Sequence, residues 1–147
     1  MSKKRIAPID GAIKKQIRVQ NTANALALIL SSLLLAFVFL FSTLSICSLE
    51  NRLCPLIDEG LLAAHSEERE RVCSIGEQID ALLKKYEPAM MIYANHKDIT
   101  ELLSCATTIT ALGANGERDD YIEALSVLRV ALHYLKENNM VSWGNVL

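Results

Sequence analysis

The chain contains 147 residues, of which 15 are Lys or Arg and 17 are Asp or Glu, so its net charge is −2. This length suits one domain rather than several. The charge is divided unevenly: residues 1–24 carry six bases and one acid, whereas residues 50–147 carry nine bases and sixteen acids. Because an acidic main domain repels a polyanion, nucleic acid is excluded as a partner.

The first predicted element is a basic cytoplasmic leader, residues 1–24. Within it Ile9, Ile13 and Ile17 recur at four-residue steps, with the neighbouring bases turned away. This pattern fits a short helix on the membrane surface, where bases attract anionic lipid. A disordered positive tail that only sets the topology fits equally well, and both readings stay open.

The second element is residues 25–46, which lie in the uncharged stretch between Arg18 and Glu50. Their 22 residues are mostly Leu, Phe, Ala, Ile and Val, and as a helix they would measure about 33 Å. A hydrocarbon core is about 30 Å thick, so the stretch predicts a transmembrane helix. The alternatives are the core helix of a soluble protein and a cleaved signal peptide, whose apolar region is usually shorter.

The bases of the leader predict the orientation of this helix. Lys and Arg next to a membrane helix stay in the cytoplasm. We therefore expect a single-pass protein of the cytoplasmic membrane with its N-terminus inside. Residues 47–147 would form an extracytoplasmic helical domain.

Apolar residues at helical spacing predict two helices in the first half of that domain. One spans about 49–64, and Pro55 should kink it or start it anew. The other spans about 67–86 with Ser66 as its N-cap. Pro88 follows it, and residues 89–94 form a short apolar piece.

Two further helices are marked by capping-box-like starts, Asp98-x-x-Glu101 and Asp120-x-x-Glu123. Gly113 is expected to end the third helix of the domain, and Asn138-Asn139 to end the fourth. The link between them is short, so they should pack antiparallel. The predicted fold is all-α: one N-terminal transmembrane helix followed by a small bundle of antiparallel helical hairpins.

Three stretches together resemble a known family. They are Asn95-His96-Lys97-Asp98-Ile99, then Tyr121-Ile122-Glu123-Ala124-Leu125 continuing to Leu135, and the tail Ser142-Trp143-Gly144-Asn145-Val146-Leu147. The chain is similar in these to the domain of unknown function 4363 family, small single-pass helical membrane proteins of Firmicutes. The resemblance implies one membrane helix followed by helical hairpins, and it implies no activity. The long leader, Pro55 and Gly76 depart from the family pattern.

No catalytic, cofactor or metal site is predicted. His65, His96 and His133 lack the spacing of metal ligands. The sequence also contains no nucleophile elbow and no phosphate loop. We therefore expect a protein that is not an enzyme.

The four cysteines, Cys47, Cys54, Cys73 and Cys105, include no CxxC pair. They fit small buried hydrophobic residues. A disulfide between Cys54 and Cys73 is an alternative, because the domain is expected outside the reducing cytoplasm.

Two places could contact a partner. Met90, Met91 and Tyr93 form an apolar cluster after Pro88, which fits either core packing or an adaptable contact surface. Trp143 is the only tryptophan. It fits either docking of the tail or an anchor in an interface.

The sequence thus favours a non-enzymatic, membrane-anchored interaction or accessory subunit at the outer face of the cytoplasmic membrane. Its partners would be the lipid bilayer and a protein not identified by the sequence, and homo-oligomerisation is left open. The alternative function is an extracytoplasmic small-ligand sensor or binding module.

Overall fold

A computed structural model describes residues 7–139 of the chain, with side chains described from residue 20 onward. In this range the chain forms four α-helices and no strand: α1 (Ala7–His65), α2 (Arg69–Tyr93), α3 (His96–Asn115) and α4 (Arg118–Asn139). The prediction of an all-α protein with a long apolar helix near the N-terminus is confirmed. Trp143 and the first bases of the leader lie outside the described residues.

Helix α1 is longer than any predicted element, since part of the leader, residues 25–46 and the helix predicted at 49–64 all belong to it. The prediction that Pro55 could start a new helix is wrong. A proline in a helix interior costs about 3 kcal/mol. Leu53 and Ile57 on either side of it are fully buried, and their packing offsets that cost.

The chain divides into two compact units, Met1–Phe39 and Leu40–Leu147. In the first unit the large apolar side chains from Leu26 to Phe37 are 59% to 71% exposed, and Phe39 is 43% exposed. The hydroxyls of Ser31 and Ser32 both donate to the carbonyl oxygen of Leu28, each at 2.9 Å. These polar groups are therefore satisfied inside the helix, as a span through lipid requires.

The second unit has a packed core to which all four helices contribute. The side chains that form it recur three or four residues apart, which places them on one face of each helix. Its members include Leu49, Leu53 and Ile57 of α1, Ile75, Ile79 and Leu83 of α2, Leu102, Ala106 and Ile109 of α3, and Leu125, Leu128 and Leu132 of α4.

Helix α2 begins later and ends later than predicted. Its N-cap is Glu68, which makes no side-chain capping bond, so the assignment of Ser66 is wrong. The helix continues through Pro88 to Tyr93, and the separate piece expected at 89–94 is its last turn. Met90 is fully buried beyond the proline, so core packing extends the helix past it.

The caps of α3 and the start of α4 also differ from the prediction. Asn95 is the N-cap of α3, and its Oδ1 accepts from the Lys97 N–H at 3.0 Å. The left-handed residue that ends α3 is Gly116 (φ 79°) rather than Gly113. Gly113 is buried, and a Cβ there would lie 3.3 Å from Val72 Cγ1. Helix α4 begins at Arg118, before the predicted capping box.

Polar contacts join the helices of the second unit in a regular order. Between α1 and α4, Lys136 pairs with Glu50 at 2.8 Å, and Arg129 pairs with Asp58. Between α1 and α2, Tyr86 bonds to Ser48 at 2.7 Å and Arg71 to Glu59 at 2.8 Å. In both helix pairs, the contact residue that comes later in α1 meets the residue that comes earlier in the other helix.

Helices α2 and α3 approach each other closely at Gly76. The Thr110 hydroxyl donates to the Gly76 carbonyl oxygen at 3.1 Å. A Cβ on Gly76 would lie 3.2 Å from Thr110 Cα. Any side chain at this position would require the two backbones to move slightly apart, so glycine suits this close approach.

Candidate functional site

The predicted contact cluster at the end of α2 is divided by the fold. Met90 is fully buried in the core, whereas Met91 is 56% exposed. Tyr93 is half-buried. The adjoining Ile92 is 61% exposed and lies beside Met91. The exposed apolar surface at this end therefore consists of Met91 and Ile92.

Tyr93 fixes the end of α2 against α1. Its hydroxyl donates to Ser45 Oγ at 3.1 Å, and its ring meets the Phe41 ring edge to face, with centroids 6.5 Å apart. Burial raises the pKa of the Tyr93 hydroxyl. Sequence reasoning missed both partners of Tyr93, because they lie about fifty residues away in a stretch assigned entirely to lipid.

A groove lies next to this contact. Its volume is about 360 Å³, and its lining includes Phe41, Leu44, Tyr86, Ala89 and Lys85. Apolar groups dominate the walls, and Lys85 supplies a positive charge at the edge. Among the described residues Lys85 pairs with no carboxylate. Such a groove suits an amphiphile, with an apolar part inside and an anionic part near the ammonium group.

A second cavity, also of about 360 Å³, is formed by the α1–α2 and α3–α4 connections. Arg69 and Arg118 line it together with Glu67 and Glu117. Arg69 donates to the Ala114 carbonyl oxygen at 2.8 Å. Arg118 lies 3.6 Å from a Glu67 carboxylate oxygen. Both guanidinium groups thus have partners within the protein. The sequence alone did not predict that the α1–α2 and α3–α4 connections lie side by side.

Tyr121 is the central buried polar side chain of the second unit. It lies in the first turn of α4 and is fully buried, and its hydroxyl donates to the Val72 carbonyl oxygen at 3.3 Å. Gly60 of α1 and Gly113 of α3 leave room for it, since a Cβ on either would lie within 3.0 to 3.5 Å of its ring or hydroxyl. Burial raises the pKa of Tyr121 to about 12.

This pKa predicts a loss of stability in alkali. The unfolded tyrosine ionises near pH 10 and the folded one near 12, so the unfolded state loses its proton first and stability falls as pH rises between these values. From about pH 8 to about pH 11 the wild type should lose about 1.4 kcal/mol more unfolding free energy than Tyr121→Phe. Urea unfolding of the full chain in detergent micelles measures both losses. Tyr134→Phe, at an exposed site, should keep the wild-type response, and equal losses in wild type and Tyr121→Phe would contradict the assignment.

All four cysteines are among the described residues, and they are free thiols. Cys73 Sγ donates to the Gly113 carbonyl oxygen of α3 at 3.3 Å. Cys54 has Glu50, Asp58 and Arg129 nearby, and burial is the main cause that raises its pKa. The two thiols therefore have different surroundings. A Cys54–Cys73 disulfide would require one of the two thiols to move out of its present surroundings. That disulfide stays a prediction.

The histidines lie in separate places. His65 Nδ1 is 3.3 Å from an Arg118 nitrogen, and His133 Nε2 is 3.3 Å from a Glu137 carboxylate oxygen. His96 is the first residue of α3. Among the side chains of residues 20–139 no three His, Cys, Asp or Glu gather as a metal site. That the protein is not an enzyme stays a prediction.

Comparisons of the chain with protein-family models, with curated proteins and with solved structures gave no match. The resemblance to the domain of unknown function 4363 family stays a prediction.

Proposed function

We propose that this chain is a single-pass membrane protein whose helical domain serves as a non-enzymatic interaction or accessory subunit. The observation that carries the proposal is the exposure of residues 26–37, where large apolar side chains are uncovered on all sides of the helix. A helix that is apolar all round is either buried in protein or spans a membrane. Here only 6% of the most apolar 18-residue window is buried, which disfavours the core helix of a soluble protein.

The helical domain would be a bundle of antiparallel hairpins. The order of contacts supports this arrangement. Glu50 pairs with Lys136, whereas Asp58, which comes later in α1, pairs with Arg129, which comes earlier in α4. The short connections between helices favour it too, because consecutive helices joined by a few residues pack antiparallel. Such a bundle would stand on the outer face of the membrane, since the bases of the leader favour a cytoplasmic N-terminus.

An interaction role is supported by the outer face of α4. Val127, Val130 and Tyr134 are 45%, 52% and 59% exposed, and their i, i+3, i+7 spacing places them on one side of the helix. Apolar stripes of this kind are the anchors by which helices bind protein surfaces. The partner would be another membrane or envelope protein, or a second copy of this chain.

The sensor alternative rests on the cavity beside Arg69 and Arg118. Its volume lies within the range of ligand pockets, about 300–1,000 Å³. Its two guanidinium groups are held by partners of the protein itself, so a ligand would have to displace them. A rise of the melting temperature with small carboxylates or inorganic phosphate, absent in Arg118→Gln, would favour the sensor over the interaction protein.

Fractionation of lysed cells tests the anchor and the orientation together. We expect the unprocessed chain in the membrane pellet after alkaline carbonate washing. Ser104→Cys, at an exposed site, should react with a membrane-impermeant thiol reagent in intact cells above the wild-type signal. Ser2→Cys should exceed the wild-type signal only after lysis. Full-length chain in the supernatant would refute the anchor, and the reverse labelling pattern would refute the orientation.

Affinity capture from a detergent extract tests the interaction role. The wild-type chain should retain a partner or a second copy in fixed proportion. Val130→Glu should lose it, whereas Thr108→Glu, at an exposed site on α3, should keep it. A chain that retains nothing would argue against an accessory subunit.

A further inference from the structure

The last turn of α2 has an unusual composition for a helix end facing water. From Pro88 to Asn95 the sequence is PAMMIYAN, without a charged residue. The last turn contains no base, although bases there would interact favourably with the helix dipole. A segment of this kind suits an apolar environment better than bulk water.

The contacts of Tyr93 give the level of this turn along α1. Tyr93 meets Ser45 and Phe41, and both lie within the stretch 25–46. At about 1.5 Å per residue, Phe41 lies about 7.5 Å from Ile46, the last residue of that stretch. Helices that lie in a membrane interface are buried about 5–10 Å deep. The end of α2 thus lies at the depth in the membrane at which interfacial helices are found.

We propose that the end of α2 is a lipid-binding surface, with Met91 and Ile92 inserted in the leaflet next to the bundle. This inference rests on the proposed membrane anchor. The contact of Tyr93 with Phe41 brings this surface beside α1, where Leu40 and Leu44 are 59% and 69% exposed. Lipid therefore covers the end of α2 and this side of α1 at once, and neither Met91 nor Ile92 is left in water.

The groove beside this surface includes Lys85, whose positive charge attracts a lipid phosphate. Lys85 lies seven residues before Ile92, which is about 10 Å farther along α2 from the inserted tip. That distance places its ammonium group among the lipid phosphates when Ile92 lies among acyl chains. The apolar walls formed by Phe41, Leu44 and Ala89 receive the upper part of an acyl chain. The ligand is thus a phospholipid of the adjoining leaflet.

Quenching by brominated lipids tests the proposal on the full chain. The native tryptophan is first removed as Trp143→Phe, so that each variant carries a single introduced tryptophan. Ile92→Trp is compared with Leu35→Trp inside the apolar stretch and with Leu62→Trp, an exposed apolar site near the far end of α1. All three proteins are reconstituted in phosphatidylcholine–phosphatidylglycerol vesicles with bromine on the acyl chains.

We expect Ile92→Trp to be quenched several-fold more than Leu62→Trp and nearly as strongly as Leu35→Trp, at every protein-to-lipid ratio. Quenching of Leu35→Trp with none at Ile92→Trp would overturn this inference and leave the anchor intact. A blue-shifted but unquenched Ile92→Trp would show that protein covers the site, which also overturns it. An unquenched Leu35→Trp would refute the anchor itself. Met91→Trp serves as a second probe if Ile92→Trp does not fold.

Discussion

Replacing Leu33, Leu35 and Phe37 by arginine should release the chain from the membrane fraction. All three side chains are more than half exposed in the first unit, so the substitutions disrupt no packing within it. Each arginine at the centre of a span costs about 2.5–3.5 kcal/mol on insertion scales. Three of them outweigh the favourable contribution of the remaining apolar residues, so insertion should fail.

The measurement is the fraction of chain that resists alkaline carbonate extraction. A matched control carries three arginines at exposed apolar sites of the second unit, Leu62, Val127 and Val130. It should remain in the pellet, because those side chains lie outside the proposed span. Membrane retention of the first variant would show that residues 25–46 do not hold the chain in lipid.

Truncation of Tyr121 should cause the largest loss of stability in the helical domain. Its ring fills the space left by Gly60 and Gly113, and its hydroxyl reaches Val72. Tyr121→Ala removes contacts with three other helices and leaves a cavity between them. Large aromatic truncations of this kind cost about 3–5 kcal/mol.

Urea unfolding of the full chain in detergent micelles, followed by circular dichroism, measures this loss. The control is Tyr134→Ala on the same helix, where the side chain is 59% exposed. Exposed substitutions usually change stability by no more than about 0.5 kcal/mol. If both variants unfold at the same urea concentration, Tyr121 is not the central contact that its burial indicates.

These predictions separate the two roles of α1. From residue 26 to residue 37, α1 is apolar and exposed, and its proposed environment is lipid. Residues after Leu40 contribute Leu49, Leu53 and Ile57 to a protein core.

The proposed lipid-binding surface at the end of α2 would bring the helical domain into contact with the leaflet. The exposed stripe of α4 belongs to the same unit. A partner that binds this stripe would have to be a membrane protein or a protein lying at its surface.

The sequence by itself determined that the chain is helical, where its long apolar helix lies and many of the residues that form the core. Helical spacing of Ile75, Ile79 and Leu83, or of Leu125, Leu128 and Leu132, predicts burial because a helix repeats every 3.6 residues. This spacing is a local pattern, so it can be recognised without knowing which other helices the residues contact. The apolar stretch 25–46 is similarly local, since length and lack of charge suffice to define it.

Only the tertiary structure decided where the helices begin and end, and which side chains meet. Pro55 and Pro88 lie inside helices because buried residues on both sides of each proline hold the backbone helical. Gly113 was predicted as a cap, but it is buried against Val72 and Tyr121, and Gly116 ends the helix instead. The contact of Tyr93 with Phe41 and Ser45 joins residues about fifty positions apart. Such contacts depend on packing between distant segments, which local periodicity does not encode.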